Sequence, residues 1–181
     1  IHEGRIFGRG AVDMKGSIAS YVSSAIKWLK VNPRFKGSLS FLITGDEEVF
    51  DFIENNHLTN RIHFTGEIED KLVPYIYINA SLFVFPSLYE GFGIPVLEAL
   101  VSGVPVITSN VSGMSEAGGP DSRLVNPRNI EEISTSITEL LSDDELRREM
   151  IQRGYLHTAR FSNQQVTKKL VTLYHQIMDI G

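Results

Sequence analysis

Leu82-Phe83-Val84-Phe85, Pro86-Ser87-Leu88-Tyr89-Glu90-Gly91-Phe92-Gly93, Ile94-Pro95-Val96-Leu97-Glu98-Ala99-Leu100-Val101-Ser102-Gly103 and Val104-Pro105-Val106-Ile107-Thr108 follow one another without a gap. They read as strand, loop, helix and strand. The first four residues offer water no polar position, the mark of a strand covered on both faces. Pro95 suits the start of a helix, because its ring presets φ and its missing N–H would have found no partner there. Gly103 ends the helix, and an apolar run returns. Two strands joined this way are parallel, with a right-handed crossover.

The same alternation extends in both directions. Toward the amino terminus, residues 5–12 read as a strand. Residues 14–31 read as a helix, with Ile18, Val22, Ala25, Ile26 and Leu29 at helical spacing. Residues 38–44, apolar at nearly every position, read as another covered strand, 46–57 as a short helix and 61–65 as a further strand. Residues 70–79 are weakly helical, with Pro74 acceptable only in the first turn. Toward the carboxyl terminus, 123–125 is a short strand, followed by helices near 129–141, 143–160 and 162–180. Ser142 with Glu145 matches a capping box. The expectation is an α/β fold, a Rossmann-like three-layer sandwich in one domain, with a mainly parallel sheet of about six strands and C-terminal helices packed across it.

Composition narrows the function. With 181 residues, 42% hydrophobic and 22% charged, the chain suits one globular domain. Its 22 acidic and 17 basic residues give −5, which argues against a nucleic-acid partner. Cysteine is absent, so disulfides and thiolate metal sites are excluded. No run approaches the roughly 20 apolar residues of a membrane span. A basic-then-apolar leader is also missing, so a cytoplasmic location is expected.

Two groups of residues could carry chemistry. Asp13 follows the first strand, and Glu47 and Glu48 follow the 38–44 strand. Parallel strands would bring all three to the C-terminal sheet edge, where open α/β sheets bind ligands. There they read either as ligands for a divalent cation with a general base, or as helix caps and first-turn acids, which are far commoner. The second group is Glu90 and Glu98, flanking Gly91-Phe92-Gly93 at a helix start. Free N–H groups and the helix dipole suit a phosphate, while Glu98, about one turn into the helix, suits a sugar hydroxyl. A plain surface turn accounts equally well for this pattern.

Resemblance sharpens both. Gly8-Arg9-Gly10-Ala11-Val12-Asp13-Met14-Lys15-Gly16 and Thr44-Gly45-Asp46-Glu47-Glu48 resemble two motifs of the dizinc aminoacylase-type metallopeptidases, the desuccinylases above all. That resemblance implies Asp13 as the bridging zinc carboxylate, Glu47 as general base and Glu48 as a zinc ligand. The family's other ligands have no counterpart, so no bound cofactor is expected. Residues 85–99 with Gly103-Val104-Pro105-Val106-Ile107 resemble the C-terminal domain of retaining GT-B-fold glycosyltransferases, over roughly residues 51–180. It implies that Glu90 contacts the transferred sugar and Glu98 the nucleotide ribose. The diphosphate would meet the main chain of Gly91, Phe92, Gly93, Ile94, Val96 and Leu97, with Gly66–Glu67 near the base. Arg9 and Lys15 fall roughly where the family's diphosphate-neutralising cations belong.

The expected whole is therefore a single hybrid domain. Residues 1–50 would supply a peptidase-like strand-helix-strand, and 51–181 a transferase-like remainder. Such a recombined chimera is expected to lack full enzymatic activity. The alternatives are a weak nucleotide or nucleotide-sugar binding module and a residual metallohydrolase. Self-association through the C-terminal helices is a further expectation. His2, His57, His63, His157 and His175 show no ligand spacing and read as packing or surface residues.

Overall fold

The computed structural model describes residues 6–9, 27, 29–32, 39–42, 53–55, 57, 59–60, 62–65 and 68–178. Six strands form one sheet: β1 (Ile6–Arg9), β2 (Leu39–Leu42), β3 (Ile62–Phe64), β4 (Leu82–Phe85), β5 (Val106–Ser109) and β6 (Arg123–Val125). Their spatial order is β3-β2-β1-β4-β5-β6, and every pairing is parallel. The expected parallel α/β sheet is therefore present.

β1 and β2 lie inside the sheet, between β3 and β4. Ile6 pairs with Leu82 on one side and Leu39 on the other. The segment that resembles one family is thus hydrogen-bonded on both flanks to the segment that resembles another. β2 has neighbours on both sides, as its mostly apolar run predicts. The amides of Phe41 and Leu42 are expected among the slowest to exchange with deuterium. Early exchange of residues 1–48 as a block would contradict a single cooperative sheet.

Among the described residues, helices with both ends in view are α1 (Val73–Ile78), α2 (Ile94–Val101), α3 (Met114–Gly118), α4 (Ile130–Ser142), α5 (Asp144–Thr158) and α6 (Asn163–Met178). Pro74 and Pro95 each sit in a first turn, where a missing N–H costs nothing. Alternate residues of the strands divide the core. Phe83, Phe85 and Val106 pack with Tyr77 of α1, with Val96, Ala99 and Leu100 of α2, and with Met114 and Ala117 of α3. On α4, which packs against β4, β5 and β6, Ile133, Ile137 and Leu140 are buried.

Three expectations need correction. The cap of α5 is Asp143, whose Oδ1 accepts the Leu146 N–H at 2.9 Å, and not Ser142. α4 runs through Ser142, whose hydroxyl turns back to the Thr138 carbonyl at 2.7 Å, leaving Asp143 as the first non-helical residue. The β5 strand begins at Val106, since Pro105 has no N–H to give a ladder and uses its carbonyl to accept from Phe83 at 2.9 Å. Of the C-terminal helices, α4 lies on the sheet and α5 on α2, but α6 buries no residue and meets chiefly the turn before it. Val166, Leu170, Leu173, Tyr174 and Ile177 are left exposed along it. The five-residue α3, in a stretch read as loop, is an addition. No helix among the described residues is long and apolar enough to cross a membrane.

Candidate functional site

Strand order reverses between β1 and β4: the chain builds outward to β3 in one direction and to β6 in the other. Open α/β sheets bind ligands beside such a switch point, outside the carboxyl ends of the strands. Residues 86–93 leave β4 at this edge.

That loop is held from beneath and from behind. The Thr108 hydroxyl donates to the Phe85 carbonyl at 3.0 Å, and the Ser109 hydroxyl donates to the Ser87 carbonyl. Further out, the Ser112 hydroxyl donates to the Glu90 carbonyl and accepts the Glu90 N–H at 3.3 Å. Gly113 lies so close that a Cβ there would stand 2.4 Å from the Gly91 carbonyl oxygen and 2.7 Å from the Phe92 Cα. Phe92 meets Phe161 edge-on, with ring centroids 5.3 Å apart, and Phe161 meets His157 at the same spacing. Gly93 closes the loop at φ +100°, a left-handed conformation that glycine adopts without steric cost.

Gly93 is also the N-cap of α2, and no side chain caps that end. Of the amides expected to meet a diphosphate, that of Val96 donates to the Gly93 carbonyl at 2.9 Å, and the intervening Pro95 has no N–H. Val96 is fully buried in the core, so it belongs to packing. The donors best placed for an anion are those of Phe92, Gly93 and Ile94. Leu97 is half-buried against the core cluster.

Both glutamates are half-buried. Glu90 sits on the loop pinned by Ser112. Glu98 lies one turn into α2, and its Oε2 accepts the Tyr77 hydroxyl at 3.1 Å. Tyr77 is itself buried edge-on to Phe83, with ring centroids 5.3 Å apart. This contact fixes one carboxylate oxygen from behind. Sequence reasoning missed both Tyr77 and Ser112, since each reaches its glutamate from a distant part of the chain.

Asp13, Glu47, Glu48, Lys15, Gly66 and Glu67 lie outside the described residues, as does the Arg9 side chain. Among the described residues, no three His, Cys, Asp or Glu side chains gather as a metal-holding group. His157 is a packing residue: its Nε2 lies 3.0 Å from the Glu116 carbonyl and 3.2 Å from that of Ala117. Since both neighbours are acceptors, Nε2 carries the proton.

The family model of glycosyl transferases group 1 matches residues 19–157. The chain belongs to this family. O-antigen chain mannosyltransferase B of Escherichia coli is 35% identical over 129 residues, covering 71% of this chain and 34% of that protein. Among solved structures, the C-terminal domain of a glycosyl transferase group 1 family protein from Francisella tularensis superposes with a TM-score of 0.76 at 26% identity. That match covers 89% of this chain and 87% of that one. The fold is also that of a trehalose-6-phosphate protein of E. coli bound with UDP-2-fluoro glucose: TM-score 0.79, 11% identity, 94% of this chain and 43% of that one.

A second, shorter likeness accompanies these. Succinyl-diaminopimelate desuccinylase of Rickettsia canadensis is 59% identical over 46 residues, 25% of this chain and 12% of that protein. The glycosyltransferase match begins at residue 19 and not near 51, so it reaches well into the first 48 residues. This group 1 glycosyltransferase chain spans about a third of the length of the mannosyltransferase it matches.

Proposed function

We propose that the chain binds a nucleoside diphosphate, as the activated half of a nucleotide sugar, in the crevice beside β4. The observation that carries this is the N-terminus of α2: its cap is Gly93, no side chain occupies it, and it opens at the switch point of the sheet. Phe92, Gly93 and Ile94 offer N–H groups to the diphosphate. Glu98 takes ribose hydroxyls with the carboxylate that Tyr77 orients, and Glu90 faces the transferred sugar. A mannose nucleotide is the first donor to test, because the Escherichia coli relative is named an O-antigen chain mannosyltransferase.

The 181 residues on their own are proposed to bind and not to transfer, since one wall of a cleft leaves the ligand poorly buried. Affinity is expected near millimolar, about −4 kcal/mol. Calorimetric titration with UDP, ADP and GDP tests the reading. Glu98→Ala is expected to weaken whichever nucleotide binds by about tenfold, the worth of hydrogen bonds to one charged group. Unchanged affinity in that variant would remove Glu98 from the site.

A second reading rests on the 46-residue desuccinylase likeness: a recombined chimera whose peptidase-like part contributes strands and no chemistry. Asp13 and Glu48 are two ligands, short of a zinc set, so Glu47 has no metal-bound water to activate. Zinc content after dialysis against a mild chelator is expected to fall to background. Stoichiometric zinc retained there, with amide hydrolysis, would favour a residual metallohydrolase.

A further inference from the structure

We propose that Ser112 is the positioning residue of the nucleotide loop: its hydroxyl holds the Glu90 main chain from both sides and thereby sets where the Glu90 carboxylate and the Gly91–Gly93 amides stand. The inference rests on the nucleotide-binding reading and adds a residue to it.

Three hydroxyls from the β5 side reach carbonyls of the facing chain in succession: Thr108 to Phe85, Ser109 to Ser87 and Ser112 to Glu90. Thr108 and Ser109 are fully buried, and their bonds satisfy carbonyls that water does not reach. Ser112 differs. It is exposed, so water would satisfy the Glu90 carbonyl in its absence, and stability does not require the bond. Ser112 alone of the three also accepts an N–H from the residue it holds, at 3.3 Å. Only a group that both donates and accepts makes such a pair.

The backbone supports the same conclusion. Ser112 has φ +59°, one of two non-glycine residues among those described with a positive value. A serine in this region is uncommon, and such conformations persist where the surroundings dictate them, often beside ligand sites. Here the conformation delivers the hydroxyl to Glu90 and seats Gly113 against Gly91 and Phe92.

Ser112→Gly separates the hydroxyl from the backbone, because glycine adopts φ +59° without strain. Three quantities are measured on the full chain: deuterium exchange at the Glu90 amide, the melting temperature, and affinity for UDP, ADP and GDP in turn. The Glu90 amide is expected to exchange at least about tenfold faster, with the melting temperature unchanged or raised. Nucleotide affinity is expected to fall about fivefold, the scale of re-ordering one loop group on binding. Equal affinity in variant and wild type would overturn the proposal, and so would a drop in melting temperature that accounts for the lost binding. Wild type that binds none of the three nucleotides sinks the binding reading itself, and the proposal with it. That failure is seen without the variant, which keeps the two distinguishable.

Discussion

Gly113→Ala is expected to destabilise the chain by about 2–3 kcal/mol and to weaken nucleotide binding by more than tenfold. The added Cβ would stand 2.4 Å from the Gly91 carbonyl oxygen and 2.7 Å from the Phe92 Cα. Both are backbone atoms, so no side-chain rotation relieves the clash, and the loop must move away from α3. Moving it carries the Gly91–Gly93 amides off the axis of α2, where they and the helix dipole act together on an anion. Gly91→Ala is the matched control: a Cβ there meets nothing within 4 Å. It is expected to leave stability within about 1 kcal/mol while hindering a ligand that lies against the loop. Urea unfolding and calorimetry on the two variants separate the effects. Equal stability losses would mean that Gly113 does not seat the loop.

Phe83→Ala is expected to cost about 3–5 kcal/mol, the usual loss for emptying a buried aromatic site. Phe83 is 1% exposed, stacks on Phe85 at 5.8 Å and takes the edge of Tyr77 at 5.3 Å. The loss reaches the site as well. Tyr77 donates to Glu98, so a cavity beneath its ring frees the carboxylate that is proposed to take the ribose. Chemical denaturation reads the first effect, and nucleotide affinity of the folded fraction reads the second. A loss under about 1 kcal/mol would show that this face of β4 is not the centre of the core.

The sheet was legible because its strands are apolar at nearly every position. Leu82–Phe85 is buried at every position, and mostly apolar strands separated by helices leave few topologies besides a covered parallel sheet. The location of the candidate site was legible for a similar reason: Gly91, Gly93 and Pro95 are residues whose backbone chemistry is local. What escaped depends on contacts between distant residues. Ser112 and Tyr77 lie 22 and 21 positions from the glutamates they hold. A left-handed serine has no sequence mark of its own. α3 escaped because Met114–Gly118 is too short to show a period. The cap of α5 was misread because Ser142 and Asp143 both satisfy capping chemistry, and only the length of α4 decides between them. α6 has an apolar stripe that reads as a core-facing helix, yet the stripe faces outward.

The central question is whether the loop after β4 meets a nucleoside diphosphate. Backbone amide shifts of the isotopically labelled chain, followed while UDP, ADP or GDP is raised through the millimolar range, measure this. Progressive, saturable shifts are expected at Gly91, Phe92, Gly93 and Ile94, and smaller ones in Glu98→Ala at the same concentrations. Val96, whose N–H is held by the Gly93 carbonyl, is expected to move less than its neighbours. If those four loop amides stay where they are at about ten times the expected dissociation constant, the crevice beside β4 is not a nucleotide site.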